Sequence, residues 1–328
     1  LGRINYSYAD KYLAQITARR DGTSRLPKND RWGNFLSVSL GWRISGEKFF
    51  NVPWIDDLKI RANYGTLGNS YWDYQSVINT APRAVFGSPE NILIGMTQSQ
   101  LTNNDLVWEK KTTANVGFDL VAFNNRFRLS AEYFYSKSKD LLVYLPILMS
   151  SGNEGGAPAV NAGSLENKGF EILASYTPWQ SRDGFVRING SIAYNKDKIL
   201  KISDAMRQFN ENQAALAAME DQALPVAQYQ DGLSMNTIFA VPSLGIDPAI
   251  GLEMYRKQDG SSTYIWRDTD RVPCGVSVPL YRGTVGITGE YKGIGISITG
   301  RYLGGGQMYN STLVNMVENA DISQNFDR

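Results

Sequence analysis

The chain contains no histidine, and that absence removes whole classes of chemistry. Ser-His-Asp and Cys-His nucleophilic machinery cannot be assembled within it, and neither can imidazole-based zinc or iron sites. Its lone cysteine, Cys274, excludes an intramolecular disulfide and reads as an incidental loop residue. Neither sign predominates among the charges: 33 basic and 32 acidic residues leave +1, so nothing draws the chain toward nucleic acid. No apolar run reaches the roughly 18 residues of a spanning helix. The longest, Leu141 to Met149, is interrupted by Pro146. Carboxylate pairs do occur, at Asp56-Asp57 and Asp268-Thr269-Asp270. Both lie in turn-like stretches, where solvated loop acids are the ordinary explanation. No catalytic residue, metal ligand or cofactor is assigned, and the chain is read as a non-enzyme.

What is present is alternation. In the segment LYRGTVGITGEYKGIGISITGRYL, residues 280 to 303, Tyr281, Val285, Ile287 and Tyr291 share one strand face, and Arg282, Thr284, Thr288 and Glu290 share the other. A two-residue Lys292-Gly293 turn sets Tyr291 opposite Ile294, so the apolar face continues through Ile296, Ile298 and Tyr302. Strands of this length suit a tilted bilayer crossing of roughly 9–11 residues better than a soluble sheet. Aromatics at the strand ends with aliphatics between them are what a lipid-facing barrel wall requires. A mean hydropathy of −0.31 is compatible with this, because a barrel with a polar lumen averages out as hydrophilic.

The pattern recurs along the chain. Tyr12, Ala14 and Ile16 follow a turn at Ala9-Asp10; Leu36, Val38, Leu40 and Trp42 oppose Phe35, Ser37 and Ser39; Leu58, Ile60 and Tyr64 oppose Lys59 and Arg61. Val116 and Phe118 oppose Asp119, and after a tight Asn124-Asn125 turn Leu129 and Tyr133 oppose Arg128 and Glu132. Phe170 and Ile172 oppose Glu171, and Ile188 and Ile192 oppose Arg187. Weaker strands are expected around 236–242, 249–256 and 262–267. The expected lipid-facing set is therefore Leu36, Val38, Leu40, Val116, Phe118, Val285, Ile287, Ile296 and Ile298. The expected lumen-facing set is Lys59, Arg61, Asp119, Arg128, Glu132, Glu171, Arg187, Glu290 and Arg301. Both signs line the lumen, so the wall by itself sets no ion selectivity.

Short connections alternate with long ones at 66–107, 139–165 and 198–234, the layout of an outer-membrane barrel whose long loops lie outside the cell. Residues Asp204 to Glu220 have helical composition and are assigned to one such loop. Tyr71, Trp72 and Tyr74 open the first long loop as substrate-contact candidates, able to stack on sugar rings or peptide side chains. A soluble β-sandwich also alternates apolar and polar residues. Strand length, terminal tyrosines and the charged second face favour the barrel.

Several segments resemble the SusC/RagA family of TonB-dependent outer-membrane transporters. They are DKYLAQITARRDGTSRLPKNDRWGNFLSVSLGW from Asp10, PWIDDLKIRANYGTLGN from Pro53, VWEKKTTANVGFD from Val107, YFYSKSKDLL from Tyr133, NAGSLENKGFEI from Asn161 and YNSTLVNMVENAD from Tyr309. They follow family order along nearly the whole chain. The resemblance implies an antiparallel transmembrane β-barrel of roughly 22 strands, of which residues 1–328 supply about a dozen later strands. Leu1 leads straight into strand pattern, so signal peptide, TonB box and plug are expected to be absent from this sequence, and the final strands missing. The resemblance further implies an outer-membrane location in a Gram-negative, Bacteroidota-type bacterium. It implies energised import of oligosaccharides or peptides, with TonB acting through the missing N-terminal region and a SusD-like lipoprotein as lid. A passive porin-like channel is the alternative; an outer-membrane enzyme or adhesive barrel ranks below it.

Overall fold

The computed structural model describes residues 1–70, 79–88, 91–100, 103–144, 159–161, 163–204, 206–212, 226–310 and 312. It divides into two compact units. The first is dominated by one antiparallel sheet in which each strand pairs with the preceding and following strand of that sheet, while Asn79–Ser88 with Asn91–Gln100 and Leu142–Tyr144 with Ala159–Asn161 form separate two-stranded sheets in the connections. The strands of the large sheet are β1 (Gly2–Tyr8), β2 (Tyr12–Gly22), β3 (Trp32–Arg43), β4 (Ile55–Asn69), β5 (Glu109–Ala122), β6 (Phe127–Lys139), β7 (Ser164–Gln180), β8 (Gly184–Lys201), β9 (Tyr281–Tyr291) and β10 (Ile294–Gly304).

The register carries the alternation from strand to strand. One row runs Tyr6, Ala14, Leu40, Ala62, Val116, Tyr133, Phe170, Tyr194, Tyr281, each residue directly opposite the next. One position along, on the reverse face, runs Ser7, Leu13, Gly41, Arg61, Gly117, Glu132, Glu171, Ala193, Arg282. A slip of one residue anywhere would exchange the faces of every strand beyond it. On the apolar face side chains are widely exposed: Leu40 is 56% exposed, Val285 59%, Ile296 64% and Ile298 63%. A soluble sandwich would bury these side chains, so that architecture is excluded.

Connections at one end of the sheet are short. At Ala9-Asp10 (φ 50 and 53) and Lys292-Gly293 (φ 48 and 86) the backbone takes the left-handed conformation that lets a tight turn match strand twist. The turn between β5 and β6 also holds Phe123, Asn124 and Asn125 at positive φ. The exception at this end is 44–54, which begins with a short 3-10 turn, Ile44–Gly46. All long connections leave the opposite end. There the wall strands run further than alternation alone suggests. β4 continues to Asn69 instead of ending near residue 65, and β7 and β8 reach 17 and 18 residues.

Apart from Ala122 at the short-turn end of β5, the buried apolar residues described in this unit lie at the long-loop end. Leu26, Phe35, Leu106, Trp108 and Ala159 form one cluster, with the Phe35 and Trp108 rings edge-on at 5.5 Å. Ile199, Ile202 and Met206 form another. Phe35, the apolar residue on the polar face of β3, is explained by the first cluster. Residues 204 and 206–212 are helical; the remainder of the expected helix lies outside the described residues.

The second unit contains the weaker strands. They form two small sheets, Val226–Ala227 with Thr237–Ala240 and Val272–Val276, and Ser243–Ile246 with Glu253–Arg256 and Ser262–Thr263. At two to five residues each they do not extend the wall, and among the described residues the large sheet has ten strands. No described helix is long and apolar enough to cross a membrane.

Candidate functional site

The polar face of the large sheet gathers the charged residues expected from alternation. Lys59 and Arg61 project from β4, Asp119 from β5, Arg128 and Glu132 from β6, Glu171 from β7, Arg187 from β8, Glu290 from β9 and Arg301 from β10. All have the parity of the Arg61–Arg282 row, and the nine apolar candidates from Leu36 to Ile298 have the opposite parity. Tyr71, Trp72 and Tyr74 lie outside the described residues.

Arg61 is the hub of this face. Its guanidinium pairs with Glu132, lies 3.4 Å from Asp119 Oδ2 through Nε, and donates to Ser130 Oγ at 3.4 Å. Asn115 Nδ2 donates to Glu132 Oε1 at 2.9 Å, and Ser130 Oγ donates to Asp119 Oδ1 at 2.7 Å. Arg61 and Glu132 sit two strands apart with Gly117 directly between them. A Cβ at Gly117 would come within 2.6 Å of the Ala131 carbonyl oxygen and 3.3 Å of the guanidinium. Glycine there is what lets the arginine reach across. Further along the same row, Ala193 separates Glu171 from Arg282 in the same way. Both residues, with Arg301, line a cavity of about 270 Å³.

A larger hollow of about 430 Å³ lies on the same face, between Asp119 and Arg128 on one side and Asn189 and Thr284 on the other. Val121 and Leu173 give it an apolar floor, and Leu173 is 56% exposed. Leu173 was not singled out from sequence, because one leucine among Glu171, Ser175 and Thr177 does not disturb the alternation. Arg282 was legible as a polar-face residue, but its place beside Glu171 depends on pairing across β7, β8 and β9.

At the short-turn end, Glu47 in the 44–54 connection organises the rim. Tyr12 Oη and Trp42 Nε1 donate to its Oε1 at 2.6 and 3.2 Å, and Lys11 Nζ lies 3.2 Å from its Oε2. The Tyr12 hydroxyl, then the Trp42 indole, hold this carboxyl below its ordinary pKa. In the second unit the backbone N–H of Ala249 and the Tyr264 hydroxyl lower Asp247 likewise. Among the described residues no group of three His, Cys, Asp or Glu could hold a metal ion. Cys274 is exposed, its thiol directed at the Ala240 and Val272 carbonyls. The arrangement offers a hydrated, mixed-charge surface with apolar hollows, suited to contact with solutes or with a polypeptide.

An antiparallel meander of long strands, apolar and uncovered on one face and charged on the other, is the wall of a membrane-type β-barrel. Residues 2–311 match the family model described as TonB dependent receptor-like, beta-barrel, and the chain belongs to that family. It is 34% identical over 204 residues to TonB-dependent receptor P39 of Formosa agariphila, covering 62% of this chain and 19% of that protein. With TonB-dependent receptor SusC of Bacteroides thetaiotaomicron it shares 33% identity over 210 residues, 62% of this chain and 20% of SusC. The chain thus spans about a fifth of the length of these curated relatives. Among solved structures, the RagAB peptide transporter superposes with a TM-score of 0.80 at 23% identity, over 93% of this chain and 32% of that one. That likeness establishes the fold.

Proposed function

We propose that this chain forms part of the wall of a TonB-dependent transporter in the outer membrane of a Gram-negative, Bacteroidota-type bacterium. The whole protein imports oligosaccharides or peptides beneath a SusD-like lipoprotein lid and is not an enzyme. In this reading the face carrying Leu40, Val116, Val285 and Ile296 meets lipid, and the face carrying Arg61, Glu132, Glu171 and Arg301 lines the lumen. The remaining wall strands, the plug and the TonB-contacting segment belong to the longer polypeptide. Tyr71, Trp72 and Tyr74 stay as candidates for solute contact.

The observation that carries the reading is the unbroken apolar row across the sheet, left open to its surroundings and bounded at both strand ends by aromatics. From Tyr281 to Tyr291, about 34 Å of strand tilted at ~45° spans about 24 Å of membrane depth, close to the roughly 25 Å apolar band of such barrels. Family membership supports TonB dependence. The polar face, with both charge signs and hollows floored by Val121 and Leu173, suits a packed plug better than an open ion path.

The test is uptake by cells carrying the full-length protein. Uptake of oligosaccharide or peptide should stop when TonB is deleted, and purified protein in a planar bilayer should be silent. Steady conductance without TonB would instead indicate a passive porin.

A further inference from the structure

We infer that the apolar face ends, on the long-loop side, in a basic band that binds the phosphate-bearing headgroups of the adjoining lipid leaflet. The inference rests on the membrane reading above and adds a ligand class to it. Just beyond the row of Val116, Tyr133, Phe170 and Tyr194, the same face of β5 to β8 changes character. Lys168 and Lys196 face each other in the next row, Lys137 and Lys198 flank Glu166 in the row after, and Lys110 and Lys139 face each other in the last. Side-chain parity places all six with Val116 and Tyr133 and not with the buried Ser136 and Ser138 of the reverse face. Glu166 is the one carboxylate in this band among the described residues, and it is already occupied by Lys168 Nζ at 3.2 Å and the Tyr135 hydroxyl at 3.2 Å.

Two features point to an external anion. Like charges directly opposite across a ladder are destabilising, and Lys110–Lys139 and Lys168–Lys196 are two such pairs. A surface that only needed to stay hydrated would not pair lysines this way. The band is also one-sided: toward the short turns, the apolar-face positions of the same strands are Phe118, Leu120 and Ala122 on β5, Phe127 and Leu129 on β6, Ala174 and Tyr176 on β7, and Val186 and Ile188 on β8. No charge occurs among them. Immediately next to buried hydrocarbon, the anions available at this height are lipid phosphates, which ammonium groups bind as point charges.

The experiment uses the full-length protein in detergent micelles doped with phosphorylated lipid A, the same lipid A after enzymatic removal of its phosphates, or inorganic phosphate, with retained lipid measured by mass spectrometry. The phosphorylated form should bind at least about tenfold more tightly than the dephosphorylated one, and more weakly as salt rises. Replacing Lys137, Lys139, Lys168, Lys196 and Lys198 by glutamine should abolish the preference, and replacing the same five by arginine should keep it. Equal retention of both lipid forms, or an unchanged preference in the glutamine variant, overturns the inference. So does full displacement of lipid A by millimolar inorganic phosphate, which would indicate a free-anion site. Quenching of tryptophan fluorescence by bromine-labelled acyl chains is measured in parallel. Quenching without phosphate preference sinks the basic band alone, whereas no quenching sinks the membrane reading and the band together.

Discussion

Arg61 shows how much of the polar face hangs on one side chain. It serves Glu132, Asp119 and Ser130, residues on two different strands, and it does so only because Gly117 leaves the path open. Replacing Arg61 with methionine should lower stability to urea in detergent by about 1 kcal/mol, since partly exposed pairs are screened. Adding Glu132→Gln should recover part of the loss, read as a coupling in a double-mutant cycle. Gly117→Val should be worse than either, because the new side chain meets backbone as well as the guanidinium. Glu47 gives a pH prediction with a definite sign. Its folded pKa lies below the ordinary value, so its contribution is present above the unfolded carboxylate pKa and is lost as pH falls through the depressed one. Amide protection across residues 44–50 should therefore drop on acidification, and Glu47→Gln should remove the step in a hydrogen-exchange series. Residue identity on each face was legible from alternation alone. The Arg61 hub was not, because its partners lie 58 and 71 positions away in the chain (119 − 61 and 132 − 61) and meet only through register.

At the scale of elements, the two faces make opposite demands on substitution. With the lipid-facing assignment proposed above, Val285→Arg on β9 should cost about 2–4 kcal/mol, the penalty for an arginine near mid-depth on such a face. Thr284→Arg, one residue earlier and on the charged face, should cost less than about 1 kcal/mol. Comparing urea midpoints of the two variants in lipid vesicles checks this, and equal losses would contradict the assignment of faces. Long strands were readable because ten or more alternating residues leave little ambiguity. The segments 236–242, 249–256 and 262–267 were readable as strands but not as members of a different unit. Nothing in a four-residue run states which sheet it joins, and β8 meets β9 only after the chain has made residues 202–280 in between. Strand ends were the other gap. The loop-end stretches of β7 and β8 hold Glu166, Asn167 and Lys168 and Asn195 to Lys198, polar on both faces, and that of β4 is the glycine-rich GTLGN, so none carries alternation.

For the whole molecule, the sequence resemblance and the two-faced sheet agree on a barrel wall, and among the described residues no strand pairs with the outer edges of β1 and β10. Exposed edges of this length template further pairing. Residues 1–328 expressed alone should therefore aggregate or misassemble, whereas the full-length protein should run as a compact, heat-modifiable species on gels. A monodisperse, folded product from the fragment would contradict the expectation that these strands need neighbours to close a circumference.

The overlong strands have one more consequence. Above the Phe170–Tyr194 row, β7 and β8 stay paired through Ser164 and Lys201. Six or seven further residues at about 3.3 Å each, tilted at ~45°, lift the ladder by roughly 14 Å. In the membrane reading proposed above, those rows carry the ladder through the headgroup layer, so the rim of the wall stands near its outer surface, and a lid closing it from outside would need a tether long enough to climb that height.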